Sequence, residues 1–152
     1  MAGKLIVAVR QGTRSDLDAL VAIEARCFDS DQLSRRSLRY FLRVPNAVVL
    51  VAQISGEVAG YALVAFRKGS AIARLYSIAI APDFRGRNLG RLLLKAGERT
   101  ARQRGVGLMR LEVRSRNRRA IALYESHGYC RYGRIDDYYE DGAAAFCYEK
   151  ML

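Results

Sequence analysis

The sequence predicts an α/β protein (α+β by stricter accounting), in which a mixed central sheet carries helices on both faces. Two observations predict it. The β-rich and helical runs follow the order β-α-α-β-β-β-α-β-α-β-β, and tight hairpin signals in the first half give way to helical crossovers in the second. The chain has 152 residues, 51% of them hydrophobic, which is enough for one core and too little for two. With no repeat, low-complexity tract or linker to divide it, 1–152 reads as a single domain.

Residues 5–10 read as the first strand. The stretch 1–9 is basic and then apolar, faintly like a signal peptide, but the apolar run is short and Arg10 interrupts it before an acidic helix. Thr13 or Ser15 caps that helix, which runs to about Phe28 with Asp16 and Asp18 near its positive end. Leu17, Leu20, Ile23 and Cys27 recur at near-helical spacing and face the core. A shorter helix begins near Ser34 and stops before Pro45.

Strands at 48–54 and 57–66 flank Ser55-Gly56, a hairpin signal because glycine accepts the positive φ of such turns. Another strand, 71–80, is closed by Pro82. The helix over 88–104 has Leu89, Leu92, Leu93 and Ala96 on one face, and Gly105 ends it. After a strand at 108–114, Asn117 caps a helix that Gly128 terminates. Strands at 130–135 and 144–151 close the chain, joined through Glu140-Asp141-Gly142.

Net charge is +11, and nearly all the cations are arginine. Guanidinium forks match phosphate oxygens, so a polyanionic partner or a phosphate-rich cofactor suits this balance, as does a merely solvated basic surface. No apolar run approaches the roughly 20 residues of a membrane helix. Cys27, Cys130 and Cys147 share no CxxC spacing, which fits a reducing, cytoplasmic setting. With His127 as the single histidine, no metal site is expected. His127 precedes Gly128 at a helix end, where histidine suits the dipole better than it suits catalysis.

The most informative segment is Ala81-Pro82-Asp83-Phe84-Arg85-Gly86-Arg87-Asn88-Leu89-Gly90, between a strand and a helix. The first turn of a helix presents unpaired N–H groups and partial positive charge, and Arg85, Arg87 and Arg91 add full charges. Gly86 and Gly90 carry no side chain to obstruct a phosphate. The loop lacks the GKS or GKT of an ATP-type loop and is not a dinucleotide fingerprint. Taken alone, a glycine-bearing turn before a helix is more often simple punctuation.

This loop resembles the acetyl-CoA signature of the GNAT superfamily of N-acetyltransferases. Leu111-Glu112-Val113-Arg114, Asn117 and Ala120-Ile121-Ala122-Leu123-Tyr124-Glu125-Ser126-His127-Gly128-Tyr129 are similar to the bacterial ribosomal-protein alanine N-acetyltransferases. The resemblance is strong over 75–139 and weaker over 5–66. It implies a mostly antiparallel sheet and acetyl-CoA as co-substrate, with no metal. It implies that Ile78, Ala79, Ile80, Arg85, Gly86, Arg87, Asn88, Leu89, Gly90, Arg91 and Asn117 hold the coenzyme, with oxyanion support near the Ala79 N–H. Glu112 would be the general base and Tyr124 the general acid. Read without the family, Glu112 is a solvent-facing residue in an alternating strand and Tyr124 a core aromatic. Asn88 replaces the signature's first glycine, and asparagine is the non-glycine residue that best tolerates a left-handed conformation.

Asp136-Asp137-Tyr138-Tyr139-Glu140-Asp141 packs four acids into six residues. An acidic island attracts an amine, and a Tyr-Tyr pair stands near the acceptor channel in the relatives, so Tyr138 and Tyr139 are candidate substrate-binding residues. A polar hairpin turn is the alternative. Relatives carry Phe-Pro-Trp after the first helix, whereas this chain has Phe28-Asp29-Ser30 and no tryptophan. The acceptor implied is a protein or peptide N-terminus of the ribosomal-alanine type. A lysine side chain, a small amine, or a non-catalytic RNA- or ribosome-binding role stay open, with nucleic acid not the primary ligand.

Overall fold

The computed structural model describes residues 6–152; Leu5 of the predicted first strand lies outside them. Seven strands form one sheet: β1 (Val7–Gln11), β2 (Ala47–Ile54), β3 (Glu57–Phe66), β4 (Ile72–Ile80), β5 (Leu108–Arg114), β6 (Cys130–Ile135) and β7 (Ala145–Met151). Their spatial order is β1-β2-β3-β4-β5-β7-β6, and every neighbouring pair is antiparallel except β4 with β5. The helices are α1 (Leu17–Cys27), α2 (Arg35–Arg43), α3 (Leu89–Gln103) and α4 (Arg118–Ser126).

Period-two alternation divides the core. On β2, Val48 and Leu50 join Leu89, Leu93, Leu94 and Tyr124 beneath α3 and α4, while Val49 and Val51 join Leu17, Leu20, Ile23 and Leu38 beneath α1 and α2. The β2–β3 hairpin turns on Ser55 (φ 49) and Gly56 (φ 85), two positive angles in succession, which suits the right-handed twist of the strands.

The first helix differs from its sequence reading at one end. Arg14–Asp16 form a 3₁₀ turn, and α1 begins at Leu17. Asp16 does not serve the helix dipole from an exposed position. It is buried, takes two 2.8 Å bonds from the Arg10 guanidinium and one of 2.7 Å from the Thr13 N–H, and so ties β1 to α1. Glu24, on the buried side of α1, accepts from the Tyr61 hydroxyl and from Leu33 N–H at 2.8 Å. Sequence patterning placed neither carboxylate indoors, because a partner far along the chain is what makes burial tolerable.

Candidate active site

The crossover through α3 brings β4 and β5 together in parallel, but only briefly. Their ladder consists of Ile72↔Leu108, Ala73↔Met109 and Arg74↔Arg110. Beyond Arg74 the strands part, although β4 stays paired with β3 to Ile80 and β5 stays paired with β7 to Arg114. A bulge helps to turn β4: Leu63 faces Ser77 and Val64 faces Leu75, leaving Tyr76 as the extra residue. The gap leaves the backbone groups of Ile78 and Ile80 on an open sheet edge, whereas those of Ala79 between them turn to Tyr61 of β3, since Ala81 N–H to the Ala59 carbonyl fixes the alternation along the pair.

One end of the gap meets the basic loop. Gly86 (φ 81) and Asn88 (φ 60, ψ 20) are both left-handed, so asparagine holds the conformation expected of the glycine it replaces. The N–H groups from Gly86 to Arg91 donate to no protein acceptor among the described residues; the first helical bond is Leu92 N–H to the Asn88 carbonyl, at 3.1 Å. Arg85, Arg87 and Arg91 are exposed around them, while the Leu89 side chain is buried and only its backbone is free to act. Gly90 has a packing reason to be small, since a Cβ there would come within 3.2 Å of Leu123 Cδ2 on α4.

Glu112 lies on β5 beside the divergence, opposite Cys147 of β7, with 18% of its side chain exposed. Arg74, the last β4 residue paired with β5, reaches it with Nε at 3.0 Å and Nη2 at 2.9 Å, both to Oε2. Oε1 has no protein partner among the described residues. Arg74 also donates to the Tyr138 hydroxyl at 2.7 Å, and its guanidinium lies 5.4 Å from the Tyr76 ring centre. Arg74 was not among the residues singled out from the sequence. Alternation on its strand was a signal, but its pairing with Glu112 depends on strand order.

Tyr138 and Tyr139 meet edge to face at 4.9 Å. Arg114 stacks on Tyr139 at 4.2 Å and bridges Asp31 and Asp141, each at 2.8 Å, while also donating to Ser30 at 2.9 Å. It thereby fastens the loop after α1 to the β6–β7 turn. The acidic island is therefore not a free negative patch, because Asp141 is paired with Arg114 and Asp136 with Arg134. Burial and the neighbouring Tyr138 push the Tyr139 phenol up to about 12, which keeps it neutral.

Tyr124 sits on the inner side of α4, almost fully buried, with its ring 5.8 Å from that of Tyr129. Burial, assisted by Tyr139, raises its phenol well above the ordinary range, so its proton stays on. Its hydroxyl has no hydrogen-bond partner among the described residues. Asn117 caps α4, its Oδ1 accepting from Ala120 N–H at 3.1 Å, which leaves the side-chain NH₂ free to donate. His127 caps the other end of that helix, with Nδ1 2.8 Å from the Leu123 carbonyl oxygen.

With the geometry assembled, the family follows. The model of the Acetyltransferase (GNAT) family matches residues 17–129. The chain belongs to that family. A Bacillus subtilis (strain 168) protein provisionally named a ribosomal protein bS18-alanine N-acetyltransferase is 31% identical over 138 residues, covering 91% of this chain and 90% of its own. The Salmonella typhimurium enzyme named [ribosomal protein bS18]-alanine N-acetyltransferase is 51% identical over 57 residues, 38% of either chain. The Escherichia coli ribosomal-protein-S18-alanine N-acetyltransferase structure superposes with a TM-score of 0.87 at 28% identity, over 97% of this chain and 94% of that one.

The chain is thus a GNAT N-acetyltransferase, and its mixed seven-stranded sheet with four helices is the family's fold. The GNAT enzyme gathers the predicted residues into two groups. Ile78, Ile80, the Arg85–Arg91 loop and Asn117 belong to the α3–α4 side, where Tyr124 also packs, while the Ala79 side chain turns to the α1–α2 side. Glu112, Tyr138 and Tyr139 meet at the other mouth, around Arg74 and Arg114.

Proposed function

We propose that this GNAT N-acetyltransferase moves an acetyl group from acetyl-CoA to a primary amine, the N-terminal α-amine of a protein or peptide, with ribosomal-protein alanine as the type. The observation that carries this reading is the gap between β4 and β5, which has an anion-suited loop at one end and a carboxylate with a free oxygen beside it. The names of the relatives support the acceptor class. The three unbridged cysteines suit a cytoplasmic setting, and one domain over 1–152 suffices for the reaction.

Acetyl-CoA supplies an activated carbonyl carbon and a thiolate leaving group. The residues 86–91 N–H groups and Arg85, Arg87 and Arg91 suit its pyrophosphate, and the edge of Ile78 to Ile80 suits an extended, amide-bearing arm as an added strand. Asn117 has its NH₂ to donate. The Ala79 N–H expected for the carbonyl oxygen is directed to Tyr61 across the β3 pair, so the N–H groups that suit that oxygen as charge develops are those of Ile78 and Ile80 on either side of it.

An α-amine loses its proton near pH 8, so the base needs only modest strength. Glu112 takes that proton through Oε1, directly or through one water, while Arg74 fixes the carboxylate by Oε2. The C–N bond forms and the C–S bond breaks, and Tyr124 donates its phenolic hydrogen to the departing sulfur. Tyr138 and Tyr139 flank the incoming chain.

The test is an acetyl-CoA thermal shift followed by turnover with peptides of varied first residue, alongside polyamines and amino acids. Saturable stabilisation and preference for an alanine-initiated peptide are expected. Glu112→Gln and Tyr124→Phe should each lower kcat by roughly a hundredfold or more. Unchanged turnover in both variants would remove these roles. One observation favours a second reading: Arg74 at the cleft suits the carboxylate of a small amino acid acceptor, which would then outcompete the peptides.

A further inference from the structure

A concave site lies on the α1–α2 side of the sheet, the face opposite the α3 loop. Arg14, Arg36, Arg39, Tyr40, Leu42 and Arg43 line a depression of about 580 Å³. No carboxylate lines it, and none of its four arginines forms an ion pair among the described residues. Arg35, their neighbour in sequence, does find one, with Asp18 at 2.6 Å. Arg36, Arg39, Tyr40 and Arg43 fall at helical i, i+3, i+4, i+7 spacing, while Leu38, on the other side of α2, is wholly buried.

Like charges at such spacing repel one another, so nothing in the helix itself favours the arrangement. Tyr40 stands 46% exposed among the guanidiniums. Its ring meets Phe41 at 5.4 Å, Phe41 meets Tyr76 at 5.6 Å, and Tyr76 borders Arg74. The depression is therefore joined by aromatic side chains to the Glu112 side of the cleft.

The geometry points to a binding site for a single-stranded polynucleotide, with phosphates on Arg14, Arg36, Arg39 and Arg43 and a base stacked on Tyr40. Guanidiniums pair with phosphate oxygens as two-pronged donors, and an exposed aromatic between them accepts any base on its face. Arg36 to Arg43 spans about 10 Å of helix, the reach of two or three consecutive phosphates. A bilayer would need apolar side chains to insert, and the apolar side of α2 is committed to the core. The site stands apart from the acetyl-transfer reading and does not depend on which amine is the acceptor.

The full chain should be titrated into a fluorescently labelled 12-nucleotide oligouridylate, with oligothymidylate as a second arm, at several salt concentrations. Four phosphate contacts predict a slope of log affinity on log salt of about −3. The triple variant Arg36→Gln, Arg39→Gln, Arg43→Gln should bind at least tenfold more weakly and lower that slope by about two. Tyr40→Leu should weaken binding about tenfold with the slope unchanged. A charge-matched variant on the opposite face, Lys95→Gln, Arg99→Gln, Arg119→Gln, should change affinity less than twofold. Equal losses in the two triple variants would overturn the site, since attraction would then be a property of the whole basic surface. Displacement of the oligonucleotide by polyglutamate at equal charge would overturn it in favour of an acidic polypeptide. Oligothymidylate binding as tightly as oligouridylate supports it as a backbone-and-stacking site, and so does a preference for the ribose strand. Unfolding temperatures of all variants report whether the fold is kept.

Discussion

Asp16 and Glu24 both lie buried near the first helix, and pH acts on them in opposite directions. The Arg10 hydrogen bonds hold the Asp16 carboxyl below the ordinary carboxylate range, so its stabilisation is present above the unfolded value near pH ~4 and is lost as pH falls through the lower folded one. Burial raises the Glu24 carboxyl, so its contribution is complete below the unfolded value near pH ~4 and is lost as pH climbs through the higher folded one. Urea melts from pH 3 to 8 separate them. Asp16→Asn should cost about 1–3 kcal/mol at pH 7, with the deficit shrinking in acid. Glu24→Gln should match the wild type near pH 4 and gain on it toward neutrality. At Asn88, glycine should preserve acetyl-CoA affinity, because the backbone there is already left-handed. Asn88→Val should cost about 1–2 kcal/mol and weaken that affinity, since a β-branched side chain opposes this φ.

Among the elements, β3 is where a small change has the farthest reach. A Cβ on Gly60 would lie 2.8 Å from the Ala79 carbonyl oxygen and 2.7 Å from Ile80 Cδ1. Gly60→Ala should cost about 1–3 kcal/mol and also raise the acetyl-CoA Kd, because the atoms that must move belong to the segment of β4 that borders the gap. Calorimetry of unfolding and of binding checks both halves. Helix caps, the Ser55-Gly56 turn and the strand bounds were legible in the chain because they are local: Ser34 and Asn117 cap the helices that follow them, and 57–66 is strand from end to end. The parting of β4 from β5 was not, since it depends on a bulge at Tyr76 and on which strands become neighbours. The same holds in the site. Glu112 and Tyr124 could be named from motifs, whereas Arg74 on Glu112, and Arg114 between Asp31 and Asp141, join residues far apart in sequence.

For the molecule as a whole, the two helical layers divide the chemistry, with α3 and α4 over the loop and α1 and α2 on the side of the arginine-lined depression. Hydrogen exchange with and without acetyl-CoA should therefore respond unevenly. Protection is expected at 75–80, 86–91 and 111–114, with β1 and β6 unchanged; uniform protection would point to a general tightening instead.

The gap in the sheet also bears on the lifetime of the protein. Strand groups left without a neighbouring strand are a template for another chain, and here they lie in the gap where β4 parts from β5. A small molecule that fills it closes the sheet, and at a hundred times its Kd adds about 2.7 kcal/mol to stability. The empty enzyme should then be cleaved by protease and should self-associate faster than the filled one, so the supply of its own acetyl donor would set how much of it persists.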